Sequence, residues 1–529
     1  MTKPTKTTSQ SRSKLAYILL PATYLLLFMS AVFYVTARYK RQHFGDAQVD
    51  EIIFYFMNGF SDGQSTSFVQ AAQENLLLTI ALTFLLLIPV IDFFRNKIRI
   101  DVDLTLLGRA RQVRFNPSNV PVWLKLSYAV VVFALALWYL IGSFNVGDYL
   151  RALSQSSTVF EDHYVDPAGV GLKFPDRKQN LVYIYLESME NTVASQANGG
   201  QAVVSLIPEL EQLALDPDNV SFSHLPQGQG IGGPMPIHGA TWTVAGMTAT
   251  AGGVPLKPDV FGRDQNDMGD FNDFLPGSVM LGDILREQGY NQSFVMGSEA
   301  GFGGRDKLLS QHGDYRIIDL TYARDQGWLP ADYKVWWGYE DRHVFEFARQ
   351  EATRLAGLGE PFNLQLLTAD THFTDGYLDP TCPTPHEAQY DNVYACSSAR
   401  VAEFVAWLGA QDFAVNTTII ITGDHLGMQT TYYQAMTSTP DHVRSQYNVI
   451  INPLAEATNR HERLFTSFDI YPTTLAAMGV EIPGDRLALG TNLFSAQPTL
   501  LEQIGSTDVL NSVLQQRSHY YERQIRIKQ

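Results

Sequence analysis

The sequence predicts an α/β domain with a mostly parallel sheet, preceded by three transmembrane helices. From about residue 178 onward, short β-branched and aromatic runs alternate with helical patterns, which is typical of βαβ units. The chain before residue 145 instead contains three long apolar segments. The expected parts are a membrane anchor over 1–145, a linker over 146–177, an exported domain over 178–497 and a polar tail over 498–529.

The membrane helices are predicted from length and composition. Segments 15–37, 76–94 and 124–143 each approach the ~20 apolar residues that cross a bilayer. Lys and Arg cluster before the first segment and between the second and third, so the positive-inside rule places both regions in the cytoplasm. Three spans then put the rest of the chain on the far side of the membrane. We expect no cleavable signal, because the first segment is too long for one.

The net charge of the chain changes sign near the end of the predicted membrane anchor. Residues 1–149 hold 14 basic and 9 acidic side chains, so the chain totals of 38 and 54 leave 24 basic and 45 acidic beyond them. The net charges are therefore +5 and −21. An exported part with this large net negative charge argues against nucleic acid as a binding partner. The basic flanks of the anchor suit the anionic head groups of a lipid bilayer.

The elements of the exported domain follow from apolar periodicity. The predicted strands are 179–188, 220–225, 291–298, 361–369, 417–423 and 446–452. The predicted helices are 203–215, 279–289, 343–357 and 399–411. Small residues after Thr243, within a Gly-rich segment, predict a further helix.

The two cysteines, Cys382 and Cys396, lie in a polar stretch of the exported part. In an oxidising compartment this pair predicts one disulfide that closes a surface loop. The alternative is a metal site formed by the two cysteines and His386. Zinc sites, however, usually combine two cysteines that are closer in sequence with two further ligands.

Two predicted strands end at residues of the types that commonly bind metal ions. NLVYIYLES contains Glu187 at its end, and TTIIITGDH finishes on Asp424 and His425. Each strand end has an ordinary alternative to metal binding. Glu187 could be an acid at a helix start, and Asp424 could belong to a Gly-Asp turn, both of which are common. Because the carboxyl ends of parallel strands share one sheet edge, the three side chains can meet at one divalent cation.

Thr241 and Thr243 stand just before the small-residue helix. The ordinary role of a threonine there is an N-cap. The same position places the positive helix end beside the hydroxyl, which favours a bound phosphate or sulfate. A metal ion that touches the hydroxyl would lower its pKa, which predicts covalent phosphothreonine chemistry on one of the two residues.

Seven segments together resemble the alkaline phosphatase and sulfatase superfamily: ESMENT, HGATWTVAG, GFGGRDKLLSQHG, WWGYEDRHVFEFA, TADTHFTDGYL, ITGDHLGM and FDIYPTTLAAMG. They look most like its membrane-anchored phosphoglycerol transferases, with lipoteichoic acid synthases a more distant branch. The likeness covers about residues 178–495 and an N-terminal anchor. It implies a Mn²⁺ or Mg²⁺ cofactor, a phosphatidylglycerol donor and an acceptor glycan of the osmoregulated periplasmic type. It also implies a bacterial inner-membrane protein with its catalytic domain in the periplasm.

The resemblance assigns roles to individual residues. It makes Glu187, Asp424 and His425 metal ligands, with a threonine oxygen as the fourth. A gap-free comparison places the family's nucleophile at Ala240, so the choice between the threonines on either side stays open.

Arg305 and His372 match positions that hold the phosphoglycerol group in the synthase branch. Paired N–H donors of an arginine suit phosphate, although a surface charge is the ordinary alternative. His372 lies just past a predicted strand end, whereas Trp337 and Asp341 are expected to be structural.

Three rival functions stay open at this point. A phosphoethanolamine transferase of the same superfamily would use the same site. A sulfatase would ordinarily need a Cys/Ser-x-Pro-x-Arg setting, which ATWTVAG lacks. A non-catalytic, membrane-tethered glycan-binding protein would keep the fold without needing the metal ligands.

Overall fold

The computed structural model describes residues 9–43, 62–91, 100–106, 109–115, 120–257 and 273–527. They belong to two compact units, an N-terminal one over residues 1–43 and 64–147 and a larger one that contains residues 148–529.

The N-terminal unit consists of long helices and one hairpin. Its elements are α1 (Ser9–His43), α2 (Asp62–Leu87), β1 (Ile100–Leu106), β2 (Arg109–Phe115) and α3 (Val122–Ser143). A small core contains Leu27, Val90 and Ala129. Other large apolar side chains point outward: Leu77 is 79% exposed and Trp138 is 74% exposed. Such surfaces suit lipid and not water.

The prediction of three membrane spans is corrected to two in the described part of the chain. By length and composition, Ile18–His43 and Val122–Ser143 can cross a membrane. The apolar part of α2, Ala72–Leu87, is shorter. Helix α2 ends at Leu87 because Pro89 has no amide hydrogen and disfavours a helical residue before it. Residues 92–94 of the predicted span lie outside the described residues. The two helices indicate a membrane protein.

The larger unit is built on a six-stranded sheet, and its mostly parallel character confirms the predicted fold class. The strands are β3 (Asn180–Leu186), β4 (Asn291–Met296), β5 (Arg316–Ile318), β6 (Phe362–Leu367), β7 (Thr417–Gly423) and β8 (Asn448–Ile451). Their order across the sheet is β5-β4-β6-β3-β7-β8. Only β8 runs antiparallel to its neighbour. The central strands are buried on both faces, as near-continuous apolar runs predict.

The described part of the chain beyond residue 145 also contains α-helices. They are α4 (Val146–Leu153), α5 (Val159–His163), α6 (Pro208–Leu215), α7 (Thr243–Gly252), α8 (Leu281–Glu287), α9 (Arg305–Gln311), α10 (Leu320–Asp325), α11 (Asp341–Ala356), α12 (Gln389–Gly409), α13 (Thr430–Met436), α14 (Ser467–Ala477), α15 (Leu500–Ile504) and α16 (Thr507–Gln515). A two-stranded ribbon, β9 (Arg486–Leu487) and β10 (Gly490–Thr491), and a π-helix, Tyr521–Arg526, complete the unit. One core lies under α7 and α14, and a second lies under α11 and α12.

Two details of the sequence prediction need correction. The predicted strand 220–225 forms only one bridge, between Val220 and Ile450. Beyond it, the backbone N–H and C=O of Phe222 bond the side-chain amide of Asn448, so a side chain replaces the strand ladder. The short strand β5 was not predicted. The predicted disulfide between Cys382 and Cys396 is present, with the two Cα atoms 5.6 Å apart.

Candidate metal centre

Glu187, Asp424 and His425 come together because β3 and β7 are parallel neighbours in the sheet. Leu186 pairs with Gly423 at the carboxyl ends of the two strands. The next residues, Glu187 and Asp424, therefore enter the same loop region. His425 Nε2 lies 3.4 Å from Glu187 Oε1 and 3.5 Å from Asp424 Oδ2. One ligand atom from each of the three residues fits within a 4.8 Å cluster, and all three residues are buried.

Hydrogen bonds hold each ligand in place. His425 Nδ1 lies 2.8 Å from the carbonyl of Leu426, so Nδ1 carries the hydrogen and Nε2 faces the cluster. The backbone N–H groups of Ser188 and His425 donate to Asp424 Oδ1. Its other oxygen, Oδ2, is buried without a hydrogen-bond partner in the described part of the chain.

The structure brings Thr243, and not Thr241, to this cluster. Thr243 Oγ1 lies 3.2 Å from Glu187 Oε2 and 3.5 Å from His425 Nε2. Trp242 is extended, so helix α7 begins at Thr243 itself. Thr241 Oγ1 is buried and has no hydrogen-bond partner among the described residues.

Helix α7 reaches the cluster because one of its residues has no side chain. A Cβ on Gly246 would lie 2.0 Å from the carbonyl oxygen of Asp424, well inside van der Waals contact. The glycine therefore lets the first turn of α7, with Thr243, approach the end of β7.

The electrostatics of the cluster show a deficit of positive charge. Burial raises the pKa of Asp424 above its usual range, and the nearby carboxylate of Glu187 raises it further. Burial opposes the ionised form of Glu187 as well, but the charge of His425 and the hydrogen bonds from His425 and Ser188 lower its pKa. Burial would lower the pKa of His425, yet the two carboxylates raise it. The imidazole is thus the main counter-charge that the protein itself supplies to two buried acids.

A divalent cation fits these residues. Ligand atoms that share one such ion at bonds of about 2.1 Å stand about 3–3.5 Å apart, which matches the separations above. The unpartnered Oδ2 of Asp424 would gain a partner, and the charge of two buried carboxylates would be balanced. Two carboxylates, one imidazole and one hydroxyl form a donor set suited to a divalent cation.

His372 and Arg305 lie beside the cluster. His372 Nδ1 donates to the carbonyl of Phe373 at 2.7 Å, and its ring lies 4.6 Å from the ring of Trp337. Burial lowers the pKa of His372, which is also within electrostatic range of Glu187 and Arg305. The imidazole is therefore neutral near pH 7, and its Nε2 can accept a hydrogen bond.

Arg305 is a buried side chain and not a surface charge. It is 4% exposed, and its Nε and Nη2 donate to the carbonyls of Phe302 and Glu299 at 2.9 and 3.0 Å. These bonds fix the orientation of the guanidinium at the start of helix α9.

Sequence reasoning missed several residues that support the site. Ser188 donates its hydroxyl to Glu187 Oε1 at 2.7 Å from a left-handed backbone position, φ 54°. Thr371 Oγ1 donates to the carbonyl of Glu187 at 2.5 Å. Trp337, expected to be structural, contacts the ring of His372. The ESMENT and DTHFTD segments contain the serine and the threonine, but spacing alone gives neither residue a partner.

The comparisons with known proteins identify the family of this chain. The family described as Sulfatase matches residues 179–480, more than half of the chain, and the protein therefore belongs to the sulfatase family.

Among curated proteins, the chain is similar to Phosphoglycerol transferase I of Citrobacter koseri, with 32% identity over 320 residues, 57% of this chain and 38% of that protein. The same-named protein of Salmonella choleraesuis is 31% identical over 343 residues, 61% of this chain and 40% of that protein. The chain thus spans about 40% of the length of these relatives. Among solved structures, the integral membrane lipooligosaccharide phosphoethanolamine transferase A of Neisseria meningitidis covers 87% of this chain and 83% of its own, with a TM-score of 0.48 and 12% identity.

Proposed function

We propose that the protein transfers phosphoglycerol from phosphatidylglycerol to a cell-envelope glycan, with Thr243 as the nucleophile. The observation that carries the proposal is the position of Thr243 Oγ1, 3.2 Å from Glu187 Oε2 and 3.5 Å from His425 Nε2 at the first residue of α7. The relatives named Phosphoglycerol transferase I support the choice of transferred group.

Glu187, Asp424, His425 and the hydroxyl of Thr243 would hold Mn²⁺ or Mg²⁺, which when bound lowers the pKa of a hydroxyl and offsets charge on phosphoryl oxygens. The backbone N–H groups of the first turn of α7 have no partner within the helix and favour an anionic phosphoryl group beside Thr243. Arg305, held by two carbonyl groups, binds the same anion with little loss of side-chain entropy.

The reaction has two displacements at phosphorus. In the first, a bond forms between Thr243 Oγ and phosphorus while the bond to the diacylglycerol oxygen breaks, and the threonine proton ends on diacylglycerol. In the second, a sugar hydroxyl oxygen bonds to phosphorus, the Thr243–phosphorus bond breaks, and the sugar proton returns to the threonine. His372, neutral and with Nε2 as an acceptor, orients a hydroxyl of the glycerol group.

The apolar helices α1 and α3 give a physical reason for this donor. They would keep the chain at the bilayer that contains the lipid. We place the catalytic unit on the periplasmic face because the sequence resembles enzymes of periplasmic glucans.

The proposal is tested with purified full chain, Mn²⁺ and vesicles of phosphatidylglycerol or phosphatidylethanolamine. We expect diacylglycerol from phosphatidylglycerol alone, and a phosphoglycerol adduct on Thr243 by peptide mass spectrometry. Diacylglycerol from phosphatidylethanolamine alone would instead indicate a phosphoethanolamine transferase. Cleavage of neither lipid would contradict both transferase functions.

A further inference from the structure

A cavity of about 320 Å³ lies in the larger unit. Ligand pockets in proteins are typically about 300–1,000 Å³, so it can accept a small ligand or one unit of a polymer. Loops that follow β3 and precede β8 form much of its wall.

The cavity and the metal ligands share one edge of the sheet. Strand β8 is antiparallel to β7 and pairs Asn448 with Thr422, so the chain enters β8 at the carboxyl end of β7. Ser445 lines the cavity, and its neighbour Gln446 donates from Nε2 to the carbonyl of Asp424 at 3.1 Å. Asn191, another lining residue, follows Glu187 by four positions. One wall residue of the cavity, Ser445, is therefore adjacent in the chain to a residue that contacts the backbone of Asp424.

The lining is polar but nearly uncharged. Amides and hydroxyls dominate it: Asn191, Gln196, Gln201, Gln229, Ser438 and Thr439. No Lys or Arg is among the lining residues, and Asp441 is the one acid. Burial lowers the pKa of both lining histidines, His224 and His442, so both are neutral at pH 7. Such a surface suits a neutral polyhydroxyl ligand and offers a phosphate no counter-charge.

One lining group has an unmet hydrogen bond. Asn191 is 2% exposed, and its Nδ2 donates to Ser445 Oγ at 3.0 Å and to the carbonyl of Gln446 at 2.9 Å. Its Oδ1 has no partner in the described part of the chain. Buried acceptors are rarely left unpaired, so this oxygen is available to accept a hydrogen bond from a ligand hydroxyl or a water. Leu225, Ile231 and Val443 add apolar contacts for the C–H face of a sugar ring.

We propose that this cavity is the acceptor subsite, which binds a neutral sugar unit of the glycan and presents its hydroxyl to the phosphothreonine. The inference rests on the proposed function and specifies its second step. The sugar oxygen bonds to phosphorus there as the Thr243 oxygen leaves with the sugar proton.

The kinetic test uses two exposed lining residues, Asp441 and Gln229, whose removal leaves the core intact. Full-length Asp441→Ala and Gln229→Ala are assayed with phosphatidylglycerol vesicles, Mn²⁺ and gentiobiose as the acceptor. We expect KM for gentiobiose to rise about tenfold or more in Asp441→Ala, because a charge-assisted hydrogen bond is lost, and less in Gln229→Ala. Release of diacylglycerol without acceptor stays unchanged. Asp412→Ala, exposed and near the amino end of β7, is the matched control with parental KM.

A binding experiment separates this inference from the proposed function. Full-length Thr243→Ala cannot form the adduct, so saturation-transfer NMR with gentiobiose reports binding alone. We expect transfer to the sugar in this variant and its loss when Asp441→Ala and Gln229→Ala are added. Absence of sugar binding, or unchanged KM and NMR signals in the cavity variants, would overturn the inference. Parental protein that binds gentiobiose yet cleaves no phosphatidylglycerol would overturn the proposed function and leave the sugar site standing.

Discussion

Two acidic clusters of the larger unit differ in how their charge is balanced. Beyond β6, Asp370 and Asp379 both pair with Arg400, at 3.2 Å each, and Asp379 also pairs with Arg342 at 3.4 Å. Asp341 accepts hydrogen bonds there from the N–H groups of Ala369 and Asp370. We call Asp370 and Asp379, with Arg400 and Arg342, the arginine-paired cluster.

The metal centre has no such partners. Among the described residues, Glu187 and Asp424 make no ion pair with Lys or Arg; they share His425, and Asp424 Oδ2 accepts no hydrogen bond. Burial of unpaired carboxylates is costly. The contrast teaches that a buried acidic cluster indicates a cation site when the chain supplies it with too little positive charge, and not merely when acids are close together.

The largest effect is expected from Thr243→Ala. Loss of the nucleophile should lower diacylglycerol release from phosphatidylglycerol by about a thousandfold or more. Thr241→Ala is the matched control, because its hydroxyl contacts none of the metal ligands in the described structure, and it should keep near-parental activity. The reverse ranking of the two variants would show that the wrong threonine has been assigned.

The comparison of the clusters predicts that Asp424→Asn and Arg400→Met have opposite effects on the stability of the metal-free protein and on its stabilisation by Mn²⁺. Asp424→Asn should lose the stabilisation that saturating Mn²⁺ gives, about 2.7 kcal/mol at a hundred times Kd. Its metal-free form should be at least as stable as the parent, since a buried uncompensated acid is removed. Arg400→Met should cost the metal-free protein about 3–5 kcal/mol, because it leaves the acids of a buried pair without their partner.

Thermal unfolding with and without Mn²⁺ measures both variants. Arg400→Met should still respond to the metal as the parent does. If it lost this response while Asp424→Asn kept it, the distinction between the clusters would be wrong.

The sequence was sufficient for five of the six strands of the sheet and for one edge of the site. Runs such as TTIIITG are long and β-branched, so β3, β7 and the residues after them could be placed by pattern alone. The choice between Thr241 and Thr243 could not, because it depends on where α7 begins, and periodicity does not resolve a helix start to one or two residues. Arg400 was placed on a predicted helix, but its partners are 30 and 21 positions earlier, which no local pattern reveals.

Gly246→Ala tests how closely helix α7 must approach the metal centre. The new Cβ would lie 2.0 Å from the backbone oxygen of Asp424, so the helix must shift and carry Thr243 with it. We expect a loss of about 1–3 kcal/mol in stability and weaker Mn²⁺ binding by calorimetry. Gly252→Ala, in the same helix, meets the flexible Met280 side chain at 3.2 Å and should leave Mn²⁺ affinity unchanged. Equal Mn²⁺ affinity in both variants would mean that the close approach is not needed.

The smallest effect concerns pH and the arginine-paired cluster. Burial opposes ionisation of Asp379, but hydrogen bonds from Thr381 and the charges of Arg400 and Arg342 outweigh it and lower its pKa below 3.8. Its carboxylate therefore stabilises the folded state above pH 3.8, and this contribution is lost as the pH falls through the lower folded pKa. The difference in Tm between the parent and Asp379→Asn should be largest near neutral pH and shrink in acid, whereas exposed Asp412→Asn should show a small difference at every pH. A difference that grows on acidification would mean that Asp379 is not the counter-charge of the two arginines, and the cluster would then not be balanced within the chain.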